Sequence, residues 1–164
     1  MTSGVDLGIR NAGYRAIESL RLEKGYRAWG SDLSPDHTPL EAGLGWAVKL
    51  TGKTDFLGKE ALLQQKREGV KKQLACFTTD ASNIKLIGRE TIFRDDQRVG
   101  WLTSAGFGHT IGRPIGYGYV RNADGVDREY LERGVYSLEI AGTRVPCSLH
   151  LEPLYDPASS RIKG

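Results

Sequence analysis

The sequence predicts an α+β protein, in which a helical and short-strand segment over residues 1–71 precedes a small six-stranded β-barrel over residues 72–164. Three observations lead to this prediction. The chain has 164 residues, 39% of them hydrophobic and 26% charged, which is typical of a folded domain with a core. Apolar residues follow a helical period before about residue 70. After residue 72 the period changes to the alternation of strands.

The first predicted element is a helix between Asn11 and Lys24. Its apolar stripe consists of Ala12, Ala16, Ile17 and Leu20. Asn11 is placed to cap the start of the helix, and Gly25 is placed to end it. Residues 31–39 contain two prolines among polar side chains, and they are predicted to form a loop because proline interrupts both helices and strands.

Two further elements are predicted before the change of period. Residues 45–50 alternate enough for a short strand, after which Gly52 and Lys53 turn the chain. An amphipathic helix is then predicted from about Gly58 to Glu68, and Gly69 ends it.

Six segments after Lys72 alternate in the manner of half-buried strands. They are residues 73–79, 90–94, 98–104, 115–120, 135–140 and 144–151. Short turns at residues 95–97 and 141–143 predict two hairpins. So many short strands within about 80 residues favour a closed or nearly closed barrel, because closure removes unpaired sheet edges.

Charge and hydropathy narrow the classes of function. The 23 basic and 20 acidic residues leave a formal net charge of +3 that is spread along the chain, so a solvated surface is favoured over a nucleic-acid-binding face. No apolar run approaches the roughly 20 residues that cross a bilayer, and the N-terminus lacks the apolar core of a signal peptide. We therefore expect neither a nucleic-acid nor a membrane partner.

Cysteine and histidine positions give no sign of a metal or disulfide site. Cys76 and Cys147 lie in alternating apolar runs, which predicts reduced packing residues. The three histidines are scattered, without a cysteine or carboxylate at ligand spacing, so no metal ligands are predicted.

Three blocks in fixed order carry a resemblance to a known family. They are residues 19–30 (SLRLEKGYRAWG), 38–46 (TPLEAGLGW) and 55–62 (DFLGKEAL). Together they resemble the folate-dependent aminomethyltransferases, which include the glycine-cleavage T-protein and the C-terminal halves of sarcosine and dimethylglycine dehydrogenases. The resemblance implies that residues 1–71 are the C-terminal part of the folate-binding region and that residues 72–164 form a Greek-key barrel.

One segment is more similar to sarcosine dehydrogenases than to the T-protein. This is residues 11–17 (NAGYRAI). The T-protein carries Arg-Asp-Ser-Leu-Arg, whose first arginine binds the carboxylate of the folate tail, and that position aligns with Ile17. Because an apolar side chain cannot make this charge-assisted contact, either Arg15 or Arg21 takes over tail recognition or the tail is bound differently.

The resemblance implies tetrahydrofolate as cofactor, with Trp46, Glu41, Arg21 and Arg15 as the binding residues. A tryptophan beside glycine can stack on a flat ligand or pack in a core, and the resemblance favours stacking for Trp46. Glu41 can accept a hydrogen bond from a pterin or cap the backbone of its own loop, and both interpretations remain open. Arg21 can also belong to an ordinary charged helix face.

In sarcosine dehydrogenases, a flavin domain oxidises the N-methyl amine and the folate-binding region captures the one-carbon unit on tetrahydrofolate. The resemblance implies that this chain supplies one wall of that folate site. We expect it to contain no catalytic residue and to be inactive alone, because the FAD domain and the catalytic carboxylate belong to a missing upstream region. The implied compartment is the bacterial cytoplasm or the mitochondrial matrix.

Other partners and functions are also expected. The upstream flavin and folate domains would cover apolar surface near Ile17 and Leu20, and without them a homodimer is expected through that surface. Two alternative functions stay open: a noncatalytic regulatory or interaction module of the same family, and a barrel that contacts RNA. The modest charge disfavours RNA.

Overall fold

The computed structural model describes residues 2–81 and 83–163 of the chain. Two 3-10 helices span Thr2–Leu7 and Gly45–Ala47. The α-helices are α1 (Tyr14–Lys24), α2 (Lys59–Glu68), α3 (Arg128–Arg133) and α4 (Ser160–Lys163). The strands are β1 (Lys72–Thr78), β2 (Thr91–Arg94), β3 (Gln97–Gly108), β4 (Arg113–Arg121), β5 (Tyr136–Ile140) and β6 (Thr143–His150).

The strands form a closed antiparallel barrel in the order β1-β4-β3-β2-β5-β6. Because β1 lies beside β4 while β2, β3 and β4 follow one another as hairpins, these four strands form a Greek key. The barrel closes where β6 pairs with β1, with Cys76 opposite His150 and Thr78 opposite Ser148. The predicted α+β class with a six-stranded barrel is confirmed.

Both predicted hairpin turns are present. In the first, Asp95 and Asp96 have φ values of 47° and 65°, and in the second Ala141 and Gly142 have φ values of 48° and 78°. Positive φ at both central residues is the turn geometry that matches the twist of paired strands. The strand β3 is longer than predicted and extends to Gly108, because its glycine-rich end still pairs with β4 as far as Arg113.

Two apolar clusters lie on opposite faces of the barrel wall. The interior cluster includes Ala75, Phe77, Ile92, Leu102, Val120 and Leu138. The second cluster joins Leu22 of α1 to Leu74, Cys76, Ile115, Tyr117 and Tyr119 of β1 and β4. Since neighbouring residues of a strand point to opposite faces, the second cluster lies on the outer face of the wall, where α1 packs against β3 and β4.

The first predicted helix is present, but its start was placed too early. Helix α1 begins after Gly13, which is extended and makes no side-chain capping hydrogen bond, so the predicted cap at Asn11 is wrong. Its end is confirmed: Gly25 adopts a left-handed φ of 72°, and the amides of Gly25 and Tyr26 donate to the carbonyls of Leu22 and Arg21.

The predicted strand over residues 45–50 is wrong, because the structure has a 3-10 helix at Gly45–Ala47. The amides of Ala47 and Val48 donate to the carbonyls of Leu44 and Gly45, so the segment satisfies its backbone locally rather than in a sheet. Helix α3 was not predicted. The side chain of Asp127 caps it by accepting from the amide of Tyr130 at 2.7 Å.

Within the described ranges, both cysteines are free thiols. No group of histidine, cysteine and acidic side chains there could hold a metal ion. None of the helices in the same ranges combines the length and apolar character needed to cross a bilayer.

Candidate functional site

A groove of about 960 Å³ lies between α1 and the barrel. Its walls come from α1, residues 28–31, residues 84–87 and the end of β3. Three aromatic side chains line it and remain partly open to solvent: Tyr14 is 75% exposed, Trp29 74% and Phe107 38%. The groove therefore offers flat apolar surface that the fold leaves uncovered.

Arg15 and Arg21, two of the four predicted binding residues, both line this groove. Arg21 is already engaged: its Nη1 lies 2.6 Å from Oδ2 of Asp32, and its Nε and Nη2 donate to Glu18 at 2.9 and 2.7 Å. Its Nη1 also donates to Oγ of Ser104 at 3.1 Å. Arg21 therefore holds α1 to the barrel.

Asp32 is the buried partner of Arg21, and its side chain is fully inaccessible. Its carboxylate also accepts from the amide of Ala28 at 3.0 Å and from the hydroxyls of Thr103 and Ser104 at 2.6 and 2.7 Å. The hydroxyl of Tyr119 donates to its backbone carbonyl at 2.9 Å. Sequence reasoning missed this residue, since an aspartate in a Ser-Asp-Leu-Ser-Pro segment has the pattern of an ordinary turn.

Arg15 differs from Arg21 in being exposed. It lies in the first turn of α1, and no hydrogen bond or ion pair holds its guanidinium among the described residues. Of the two arginines, Arg15 is the one whose guanidinium has no hydrogen-bond partner among the described residues.

Glu41 lies away from the groove, at a shallow depression that Lys72 and Arg121 also line. Its Oε2 accepts from the amide of Thr38 at 2.9 Å, while Oγ1 of Thr38 accepts from the amide of Glu41 at 3.2 Å. This reciprocal pair is a capping box. Glu41 thus caps the backbone of its own loop, which is one of the two interpretations of this residue. A contact with a pterin stays a prediction.

Trp46 lies in the 3-10 helix and is 85% exposed. The alternative interpretation, that Trp46 packs in the core, does not fit a ring that is so exposed. The indole face is free for stacking on a flat ligand. Trp46 does not line the groove, so the structure brings together Arg15 and Arg21 but places Glu41 and Trp46 elsewhere.

Burial shifts the pKa of several groups near β1 and β4. It raises the pKa of the Cys76 thiol to about 12, and likewise that of Cys147. Burial, followed by the charge of Lys72, lowers the pKa of His37, whose ring stacks on Tyr119 with centroids 4.4 Å apart. Because their pKa is raised to about 12, the thiols of Cys76 and Cys147 are poor nucleophiles at neutral pH.

Two family models match this chain. The glycine cleavage T-protein C-terminal barrel domain matches residues 72–156. The GCVT N-terminal domain matches residues 1–52. The first match contains all of the described barrel strands.

Individual relatives are much longer than this chain. The mitochondrial sarcosine dehydrogenase of Mus musculus is 43% identical over 100% of the chain, which spans 18% of that protein. The mitochondrial pyruvate dehydrogenase phosphatase regulatory subunit of Mus musculus is 40% identical over 94% of the chain, which spans 19% of it. The glycine cleavage system aminomethyltransferase T from Bartonella henselae, in its crystal structure, has a TM-score of 0.74 and 30% identity, covering 89% of this chain and 40% of that one.

Proposed function

This chain belongs to the glycine cleavage T-protein family, and on that premise we propose that it supplies one wall of a tetrahydrofolate site in an N-methyl amine dehydrogenase. The enzyme would resemble sarcosine dehydrogenase and would carry its flavin outside this chain. The similarity to sarcosine dehydrogenase over the full length of the chain supports this choice.

The observation that carries the proposal is the exposure of Trp46. The side chain of Trp46 is 85% exposed, so packing within the chain leaves its indole ring accessible to a ligand. This exposure suits a surface on which a pterin stacks.

The residues present fit the chemistry of a folate. Trp46 offers an aromatic face to the pterin, and Arg15 offers a cation to the acidic tail. When bound, tetrahydrofolate accepts the one-carbon unit. The chain's own part is to bind and orient the folate, because it contributes no carboxylate that we assign to proton transfer.

On this proposal the isolated chain does not oxidise sarcosine or dimethylglycine. Turnover needs the flavin and a proton-transferring carboxylate, both assigned to other parts of the enzyme. The working compartment would be the mitochondrial matrix, which the mitochondrial relatives favour, or the bacterial cytoplasm. Sarcosine oxidation by the purified chain would contradict the proposal.

The direct test is a titration of the chain with tetrahydrofolate, followed by tryptophan fluorescence. We expect saturable binding that is lost or weakened about tenfold in Trp46→Ala, because a stacked ring contributes about 1–3 kcal/mol. The matched control is Trp101→Ala, since Trp101 is 40% exposed and already covered by the guanidinium of Arg121 at 4.2 Å. Equal binding by the wild type and Trp46→Ala would overturn the proposed role of Trp46.

A noncatalytic regulatory module of the same family is the second candidate. The 40% identity to a phosphatase regulatory subunit favours it, because that relative keeps the same region without being named as an enzyme of amine oxidation. The titration separates the two candidates in part. Absence of tetrahydrofolate binding, both by this chain and by a longer polypeptide that includes the region upstream, would favour the regulatory module.

A further inference from the structure

We propose that a second groove, beside the end of β6 where that strand lacks a partner, binds an extended segment of another polypeptide with apolar side chains and a basic one. This edge groove has a volume of about 620 Å³ and is lined by α3, residues 134–136 and residues 146–154. It shares no lining residue with the groove between α1 and the barrel. The inference goes beyond the proposed function, because none of the residues assigned to the folate takes part.

One edge of β6 is unpaired at its C-terminal end. β5 accompanies β6 only as far as Tyr136, which lies opposite Cys147. Residues 148–150 of β6 pair with β1 on the other side, and no described strand pairs with them on the side of β5. Since a strand carries hydrogen-bonding groups along both edges, the edge at residues 148–150 can accept an added strand.

The residues around this edge do not cover it. Val135 precedes β5, but its amide donates to Oδ1 of Asp95 at 2.9 Å, and its carbonyl accepts from the amide of Asp95 at 2.9 Å. Residues 151–154 follow β6 and make no backbone hydrogen bond to another described residue. The next backbone bond joins the amide of Tyr155 to the carbonyl of Glu23 at 3.0 Å. The backbone groups along the edge groove are therefore left to water or to a ligand.

Apolar side chains form much of the walls of the edge groove. Val135 is 75% exposed there. Pro146 is exposed, and Leu151 and Leu154 are half-buried. Because the side chains of a strand alternate between its two faces, one set of residues in an added strand contacts these walls. Strand addition in this manner combines main-chain hydrogen bonds with contacts for alternate side chains.

The charge of the edge groove favours a basic segment. Nε of Arg128 lies 2.7 Å from Oε1 of Glu132, so these two charges offset each other. Glu152 is exposed and forms no ion pair with a described residue. Burial, followed by the charge of Arg113, lowers the pKa of His150 below the ordinary 6.5, so its ring is neutral at pH 7.5. One negative charge is left, and a lysine or arginine of the bound segment is complementary to it.

The test uses a short peptide, fluoresceinyl-Lys-Val-Lys-Val-Lys-Val-amide, titrated with the full chain and followed by fluorescence anisotropy at pH 7.5. We expect saturable binding. The same peptide with all backbone amides N-methylated cannot donate main-chain hydrogen bonds, and it should bind at least about tenfold more weakly. A peptide with glutamates in place of the lysines should also bind more weakly, because Glu152 repels it.

Variants of the chain place the peptide in the edge groove. V135K and E152K each put a like charge beside the basic peptide, and each should weaken binding about tenfold. The matched controls are L57K and E139K, which change an exposed leucine and an exposed glutamate that do not line the edge groove. Both should bind the peptide like the wild type.

Hydrogen exchange gives a second readout, since the bound peptide should slow exchange of the backbone amides of residues 148–152. Circular dichroism checks that each variant keeps the fold. Absence of binding, equal binding of the N-methylated peptide, or equal affinity of V135K and E152K with their controls would each overturn the proposal.

Discussion

Nη1 of Arg21 lies 2.6 Å from Oδ2 of Asp32, and this ion pair ties α1 to the loop that follows it. The side chain of Asp32 is fully buried, and that of Arg21 is 11% exposed. Because Asp32 also accepts from Thr103 and Ser104 of β3, the same carboxylate joins the helical segment to the barrel. The groove owes its shape to this junction, since Arg21 and Ser104 both line it.

Replacing Asp32 should destabilise the chain strongly. In Asp32→Ala the guanidinium of Arg21 and two hydroxyl donors lose their buried partner, and we expect the free energy of unfolding to fall by about 3–5 kcal/mol. Urea denaturation followed by circular dichroism measures this. The control is Glu60→Ala, which breaks the exposed pair with Arg67 and should cost less than about 1 kcal/mol. Similar losses in both variants would show that the junction contributes little.

The stability of the chain should decrease as the pH falls below about 6.5, the ordinary pKa of histidine. Burial lowers the pKa of His37 and of His150, so the unfolded state takes up protons that the folded state excludes. The stabilising contribution is complete above 6.5 and is lost as the pH falls through the lowered values. Nε2 of His150 lies 2.8 Å from Oγ1 of Thr78, within hydrogen-bond distance. This contact joins β6 to β1, where the barrel closes.

Denaturant unfolding at pH 7.5 and at several lower values, down to pH 5, measures this dependence. The double variant H37Q/H150Q should show a shallower loss of stability with acidification than the wild type. The control is H109Q, because His109 is an exposed residue of the loop after β3. An identical pH dependence in wild type and double variant would contradict the assignment.

The C-terminal segment should stay docked in acid. Nζ of Lys24 donates to Oδ2 of Asp156 at 3.0 Å, and this bond is the main reason that the pKa of Asp156 falls to about 2. Since the folded value lies below the ordinary 3.8, the contribution is present above 3.8 and is lost as the pH falls through about 2. We expect D156N to speed hydrogen exchange and proteolysis of residues 155–163. The matched variant D124N, at an exposed turn, should leave both rates unchanged.

The two thiols should be nearly unreactive in the folded chain. Burial raises the pKa of both Cys76 and Cys147 to about 12. At pH 8 the thiolate fraction is then at least about a hundredfold below that of an unfolded cysteine. Iodoacetamide labelling followed by mass spectrometry should therefore be slow in buffer and rapid in urea. Fast labelling of Cys76, which is 1% exposed, would contradict the packing described.

The outer face of α1 should promote self-association of the purified chain. Ile17 and Leu20 are 59% and 62% exposed, so they present apolar surface that water does not favour. Sedimentation velocity over a range of concentrations should reveal dimers. The variant I17E/L20E should shift the chain towards monomer, and the control L57E, at a fully exposed leucine outside α1, should not. A wild type that stays monomeric at high concentration would contradict this expectation.

Local patterns in the sequence were sufficient to predict the barrel strands and the end of helix α1. The barrel strands alternate, and alternation depends only on the period of two that a strand imposes. Gly25 could be identified as a helix end because a left-handed residue there favours glycine. The predictions at Asn11 and over residues 45–50 failed, because each of these short segments fits more than one backbone conformation and only its surroundings select one.

The candidate site depended on contacts between distant parts of the chain. Residue types and the family resemblance were enough to select Arg15, Arg21, Glu41 and Trp46 as candidates. Only the tertiary structure separated them, because Arg21 meets Asp32 and β3, Glu41 caps Thr38, and Arg15 keeps its donors. The sequence by itself thus determined the order of α1, α2 and the six barrel strands, since that order follows from short-range periodicity. The tertiary structure decided which charges are already paired, since such pairing depends on distances between residues far apart in the chain.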